Sequence, residues 1–249
     1  MSVVGVPARY DQVTDPALAA SLLTARRGTA YFTRKLAELA DDEFTRPSLL
    51  DGWSRAHVIA HVGYNARALT RLLEWAATGV ETAMYASPEQ RADEINEGAT
   101  LKPIALRHLV SHSNVHLNVE WRDLPADRWQ DTVRTAQGRS VPVSETAWMR
   151  TREVWIHAVD LDNGGSFYDI PADVIDRLLV DVTRSWRLRD QGLDLLLKPT
   201  DRAQHITVGT SPNVELAGAA ADLARWATGR GKHGITSSIG HVPEPPRWL

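Results

Sequence analysis

The 249-residue sequence contains no cysteine. This absence excludes disulfide bonds, metal sites built from thiolates and a cysteine nucleophile. A metal ion bound by this chain would therefore be held by imidazole and carboxylate groups.

An excess of positive charge and long apolar runs are also missing. The formal net charge is -3, with 28 Lys and Arg against 31 Asp and Glu, so nucleic acid is not an expected partner and an anionic ligand would need local arginines. No run approaches the ~18 apolar residues of a membrane span, and residues 1–15 lack a signal-peptide pattern. We expect a cytoplasmic monomer that binds neither nucleic acid nor membranes.

The first two thirds of the chain have apolar residues at helical spacing. The predicted helices cover residues 16–40, 55–78, 103–122 and 144–161. Ser54 is a suitable N-cap for the second helix, and Gly79 ends it. Because two long connections, residues 81–100 and 124–142, join these helices, the pattern favours a four-helix bundle.

The pattern changes after residues 163–165, which read Asn-Gly-Gly. Helices are predicted at 171–188 and 217–228, and short strands at 193–197, 205–208 and 214–216. Helices mixed with short strands are typical of an α/β unit. We therefore predict a helical domain at residues 1–165 and a small α/β domain at residues 166–249.

Two helices carry residues that commonly bind metals. On the fourth helix Glu153 and His157 are four residues apart, so both side chains project from one face. That face is largely apolar, where an unpartnered carboxylate or imidazole would be costly to bury. His57 and His61 have the same spacing on the second helix. Two histidines and one carboxylate are the ligand count of a catalytic zinc site, with a fourth position left for water or substrate.

The spacing alone leaves alternatives open. His57 is nearly as good a ligand candidate as His61, and Glu153 could instead pair with Arg150 or Arg152. The third helix carries its own histidines at four-residue spacing: His108, His112 and His116. Three imidazoles on one face could also bind zinc, although polar neighbours favour an ordinary polar helix face.

Two segments resemble a known superfamily. Residues 50–62 (LDGWSRAHVIAHV) resemble the second-helix motif of the DinB/YfiT-like metalloenzymes, and residues 152–161 (REVWIHAVDL) resemble their metal-binding fourth helix. From about residue 16 onward the chain is similar to the mycothiol-dependent maleylpyruvate isomerase family. This narrower similarity runs through residues 84–95, 136–139 and 234–249.

The resemblance implies a fold and a set of functional residues. The expected fold is a DinB-like four-helix bundle followed by a small α/β domain resembling sterol carrier proteins. His61, Glu153 and His157 match the family's zinc ligands, which favours His61 over His57. Arg91 and Arg230 match arginines that are important for activity in the family. The implied cofactors are zinc and mycothiol.

The reaction implied by the resemblance is the cis–trans isomerisation of maleylpyruvate to fumarylpyruvate in gentisate-type aromatic catabolism. A thiolate can add to a double bond, allow rotation and leave again. Since the chain has no cysteine, mycothiol would be the thiol cosubstrate. Arg91, in the connection after the second helix, and Arg230 are candidates to bind the dicarboxylate substrate and the thiol. If Arg230 contacts ligand, we expect the active site to lie between the domains.

Two other functions fit the same residues. The first is a mycothiol S-transferase that joins the thiol to another electrophile and releases the adduct. The second is a non-catalytic protein in which the metal stabilises a ligand-binding fold. An activity that depends on Glu153 would distinguish an enzyme from a binding protein.

Overall fold

The computed structural model describes residues 10–189 and 194–248. Its contacts divide the chain into two compact units, Met1–Gly165 and Ser166–Leu249. No helix among the described residues has both the length and the apolar character needed to cross a membrane.

The first unit is a helical bundle with one additional short helix. Its helices are α1 (Pro16–Glu38), α2 (Arg55–Thr78), α3 (Pro88–Ala99), α4 (Pro103–Asp123) and α5 (Glu145–Asp160). Helix α2 packs against α4, and α1 packs against α5, while α3 and α5 also contact α2. The predicted helical bundle is therefore confirmed, and four of its five helices lie within a few residues of the predicted bounds.

Local signals explain where α2 begins and ends. The Ser54 side chain accepts a hydrogen bond from the backbone N–H of His57, which satisfies one of the donors that a helix start leaves unpaired. At the other end, Gly79 has a φ of 75°, a left-handed conformation that glycine adopts without the penalty of a Cβ. These caps set the position of His61 within the helix.

The prediction of a connection over residues 81–100 is wrong, because this segment contains α3. The Ser87 side chain accepts from the N–H of Gln90, and Pro88 occupies the first turn, both of which favour a helix start. Only Ile95 and Gly98 of this helix are buried. So narrow a buried stripe gives little helical periodicity to detect.

The second predicted connection, residues 124–142, also contains regular structure. Strands β1 (Thr132–Arg134) and β2 (Ser140–Pro142) pair antiparallel, with Val133 opposite Val141. Gly138 in the turn has a φ of 77°. The strands have three residues each, too short to show a reliable alternation of apolar and polar side chains.

Close helix packing places α5 against α1. A Cβ atom added to Gly28 of α1 would lie 2.5 Å from Nε1 of Trp155 and 2.6 Å from Cγ2 of Val154. Glycine therefore lets the two helices approach, and α5 presents its opposite side, with Glu153 and His157, toward α2.

The second unit combines two helices with a four-stranded sheet. Its elements are α6 (Ala172–Leu188), β3 (Leu195–Pro199), β4 (Ile206–Val208), β5 (Val214–Gly218), α7 (Ala220–Ala227) and β6 (Thr236–Ser237). The strand order is β4-β3-β5-β6, with β3 and β5 parallel and the other pairs antiparallel. The small C-terminal α/β fold is thus confirmed.

Two boundaries in this unit differ from the prediction. Residues 217 and 218, predicted to open a helix, continue β5 instead, because they pair with Lys198 and Pro199 of β3. A Cβ on Gly218 would lie 2.6 Å from the carbonyl oxygen of Gly234, so the strand approaches its neighbour closely at this point. The predicted strand start at Leu193 lies outside the described residues.

Candidate metal centre

Helices α2 and α5 bring His61, Glu153 and His157 together. The Oε2 atom of Glu153 lies 2.8 Å from Nε2 of His61 and 3.2 Å from Nε2 of His157. The two imidazole rings meet edge to face, with centroids 4.7 Å apart. One ligand-type atom from each residue therefore points into a common space, and these atoms all lie within 4.8 Å of one another.

The cluster is shielded from water but not sealed. The side chains of His61, Glu153 and His157 are 5%, 16% and 13% exposed. Trp53 covers one side, with its ring centroid 5.5 Å from that of His61. A small ligand could reach the carboxylate while the surrounding side chains keep the local dielectric low.

The second ring nitrogen of each histidine also has a partner. Nδ1 of His157 lies 2.8 Å from Oδ2 of the buried Asp160. Nδ1 of His61 lies 3.4 Å from Nη2 of Arg91. A carboxylate behind an imidazole orients the ring and raises its basicity, an arrangement common around metal-bound histidines.

The buried charges influence one another strongly. Burial lowers the pKa of His61 to about 4, against the attraction of Glu153. The pKa of Glu153 is held well below its usual value because its interactions with His61 and His157 outweigh the effect of burial. For His157, burial is outweighed by hydrogen bonds to Asp160 and Glu153, so its pKa is raised. Glu153 is therefore ionised at neutral pH, as a metal ligand must be.

The donor set fits zinc. For Zn–N and Zn–O bonds of about 2.0–2.1 Å, ligand atoms at tetrahedral angles lie roughly 3.3 Å apart. The two nitrogen-to-oxygen distances, 2.8 and 3.2 Å, require only a small outward adjustment to reach that value. Three protein ligands would leave a further position open, as in catalytic rather than structural zinc sites.

Arg150, which the sequence suggested only as an alternative partner of Glu153, lies behind the cluster. Its side chain is fully buried. Its guanidinium donates to the carbonyl of Val62 and to the side-chain oxygens of Asn65 and Asn114. Burial lowers its pKa to about 10, against the attraction of Glu153, so it remains charged at neutral pH. The feature of the sequence that pointed to Arg150 is its position three residues before Glu153 on the same helix.

Arg91 lies beside the cluster, but the prediction that it belongs to a connection was wrong. It belongs to α3 rather than to a connection, and its guanidinium carbon lies 5.9 Å from the centroid of the Tyr85 ring. Tyr85 is a second residue near the cluster that sequence reasoning missed, since it lies in an irregular segment with no recognisable spacing.

Arg230 belongs to the second unit, just after α7. Its neighbours Gly229 and Gly231 have φ values of 81° and 103°, conformations that favour glycine. Its guanidinium donates to the carbonyl of Thr228.

The other histidine candidates lie elsewhere. Nδ1 of His57 is 2.7 Å from Oγ of its N-cap Ser54. The three histidines at four-residue spacing lie on α4, and their side chains are exposed: His108, His112 and His116. Within the described part of the chain, these three do not form a metal-binding group, although His116 approaches Glu74 and Glu120 at the surface.

The chain is similar to known proteins over most of its length. The family profile described as "Mycothiol maleylpyruvate isomerase N-terminal domain" matches residues 25–162, and the one described as "MDMPI C-terminal domain" matches residues 169–247. A crystal structure of mycothiol-dependent maleylpyruvate isomerase is 48% identical, with a TM-score of 0.89, covering 93% of this chain and 97% of its own. A histidine-to-alanine mutant of that enzyme is 47% identical with the same coverage and TM-score. The comparison with curated proteins gives no match.

Proposed function

This chain belongs to the mycothiol maleylpyruvate isomerase family, and we propose that it isomerises maleylpyruvate to fumarylpyruvate with mycothiol as the thiol cosubstrate. The observation that carries the proposal is the convergence of two imidazoles and one carboxylate in a chain without cysteine. Such a site can activate a thiol, and the thiol has to be brought in from outside.

The chemistry must overcome the rigidity of a carbon–carbon double bond. A thiolate that adds to one alkene carbon forms a carbon–sulfur bond and moves the π electrons onto the conjugated carbonyl, giving an enolate. The former double bond is then single and can rotate. When the electrons return, the thiolate leaves and the trans double bond forms, so the thiol is regenerated.

We propose that His61, Glu153 and His157 hold zinc. Zinc in this site would lower the pKa of a bound thiol and so supply a thiolate at neutral pH. The chain's own contribution is to orient the ligands. Asp160 fixes the His157 ring through Nδ1, and the fully buried Arg150 places a positive charge behind Glu153.

Two arginines are proposed to bind the anionic reactants. Arg91 lies beside His61, where a guanidinium can bind a substrate carboxylate in a bidentate manner. For Arg230 the support is the resemblance to the family and the glycines on both sides, which let a backbone approach a ligand closely. The overall charge of -3 makes such local cations necessary for a dicarboxylate.

The experiment uses purified, zinc-loaded protein and maleylpyruvate, with and without mycothiol, and follows the trans product by NMR. We expect conversion only when the thiol is present, and we expect it to be lost in His61→Ala. His112→Ala is the matched control, because it removes an exposed imidazole of α4.

The possible outcomes distinguish an isomerase from a thiol transferase and from a binding protein. Conversion without thiol, or full activity of His61→Ala, would overturn the proposed mechanism. If zinc-loaded protein converts no maleylpyruvate but consumes mycothiol with other electrophiles, the protein is a thiol transferase. If it does neither while zinc is bound, it is a metal-stabilised binding protein.

A further inference from the structure

Tyr85 lies next to the proposed reaction site, and neither the sequence motifs nor the metal cluster explains it. The segment that carries it is held in place, since the guanidinium of Arg71 donates to the carbonyl of the preceding residue, Met84. The Tyr85 ring packs against the apolar core of the bundle. A fixed backbone and a packed ring leave the hydroxyl in a defined position.

A shared neighbour places Tyr85 beside the cluster: the guanidinium carbon of Arg91 lies 5.9 Å from the centroid of the Tyr85 ring. The pKa of Tyr85 is affected both by Arg91, through charge and a hydrogen-bonding interaction, and by Glu153. The guanidinium of Arg91 in turn reaches Nδ1 of His61. Tyr85 and His61 therefore approach the same guanidinium, which places the phenol beside the proposed ligands, on the side of Arg91.

The proton of the hydroxyl is available for donation. Arg91 can only donate hydrogen bonds, so its interaction uses a lone pair of the phenol oxygen and not the O–H. Among the described residues, the side chain that hydrogen-bonds with the Tyr85 hydroxyl is this donor, Arg91, so the O–H proton is left for a ligand. Burial raises the pKa of Tyr85 to about 12, which keeps the group a neutral donor over the whole range in which enzymes operate.

From this geometry we propose that Tyr85 is a catalytic residue whose hydroxyl donates a hydrogen bond to the enolate oxygen formed when the thiolate adds to the substrate. The inference rests on the proposed isomerase function. Negative charge appears on this oxygen only after addition, so a donor aimed at it stabilises the transition state more than the bound substrate. The proton stays on Tyr85, and no net transfer is needed because elimination returns the electrons to carbon.

The test is steady-state kinetics of Tyr85→Phe with maleylpyruvate and mycothiol, together with zinc content and thermal stability. Removing one such donor lowers kcat by about 10²-fold in comparable sites, and we expect a loss of that order with little change in KM and full zinc content. Tyr64→Phe is the matched control. It removes the same hydroxyl from a tyrosine of α2 whose ring packs near Gly98 of α3.

The outcomes separate this inference from the function on which it rests. If the wild type isomerises and Tyr85→Phe keeps its kcat, or loses activity only through KM, the catalytic role is overturned while the isomerase function stands. Equal losses in Tyr64→Phe, or loss of zinc in Tyr85→Phe, would indicate a structural role and overturn it as well. A wild type that does not isomerise would overturn the function and this inference together.

Discussion

The Nδ1 atom of His157 lies 2.8 Å from Oδ2 of Asp160, one helical turn further along α5. Asp160 is completely buried, so its carboxylate acts on the imidazole in a low dielectric. Partners of this kind orient the ring of a metal-binding histidine and increase its affinity for the ion.

Replacing Asp160 with Asn should therefore weaken zinc binding. We expect the dissociation constant to rise about 10–100-fold, the usual effect of losing such a partner, with helical content unchanged. Competition with a chelator of known affinity measures the change. Asp162→Asn is the control, since Asp162 is exposed and its φ of 51° is tolerated by Asn. Equal affinities of Asp160→Asn and the wild type would show that the carboxylate does not support the metal.

The affinity for zinc should also depend on pH, because the imidazole of His157 binds a proton in the metal-free protein. Burial lowers the pKa of His61 to about 4, so this ring is already neutral at pH 7. For His157, burial is outweighed by hydrogen bonds to Asp160 and Glu153, and its pKa is raised. Below that pKa a proton must leave His157 when zinc binds, so affinity should fall about tenfold for each unit of pH.

Calorimetry in two buffers of different ionisation enthalpy counts the protons released on zinc binding. We expect the number to rise toward one as the pH is lowered from 8 to 6. Release of two protons would mean that His61 is also protonated in the metal-free protein. A constant value of zero would contradict the raised pKa of His157.

Removing the Arg91 side chain should affect substrate binding more than the metal. A hydrogen bond to a charged group contributes about 1.5–3 kcal/mol, so Arg91→Ala should raise KM for maleylpyruvate about 10–150-fold or abolish turnover. Zinc content should stay intact. Arg67→Ala, at an exposed position of α2, is the control. Unchanged kinetics in Arg91→Ala would exclude a role in substrate binding.

Gly28 tests the close contact between α1 and α5. Because an added Cβ would lie 2.5 Å from the Trp155 ring, Gly28→Ala should lower the free energy of unfolding by about 1–3 kcal/mol through overpacking. This loss opposes the gain of up to about 1 kcal/mol that Ala brings to a helix. Urea denaturation gives the difference, with Arg27→Ala at the adjacent exposed position as control. A stabilised Gly28→Ala protein would show that the helices separate easily.

Helix ends could be predicted wherever the chain carries capping residues and a wide apolar stripe. Helix α2 begins after Ser54 and ends before Gly79 as predicted, because both residues act on backbone atoms next to them in sequence. Helix α3 was missed although Ser87 and Pro88 open it, since the buried stripe is too narrow. Strand β6 has two residues, too few to show a periodicity, and it forms only because its backbone pairs with the edge of the sheet at β5.

The sequence by itself determined that Glu153 and His157 share one face of a helix, that His57 and His61 share one face of another, and that no thiol comes from the chain. These follow from the period of the α-helix and from composition. Only the tertiary structure decided that α2 turns His61 toward α5, and that Arg150 and Tyr85 lie near the cluster. The periodicity of one helix sets directions around its own axis, but the packing of side chains between helices decides which faces meet.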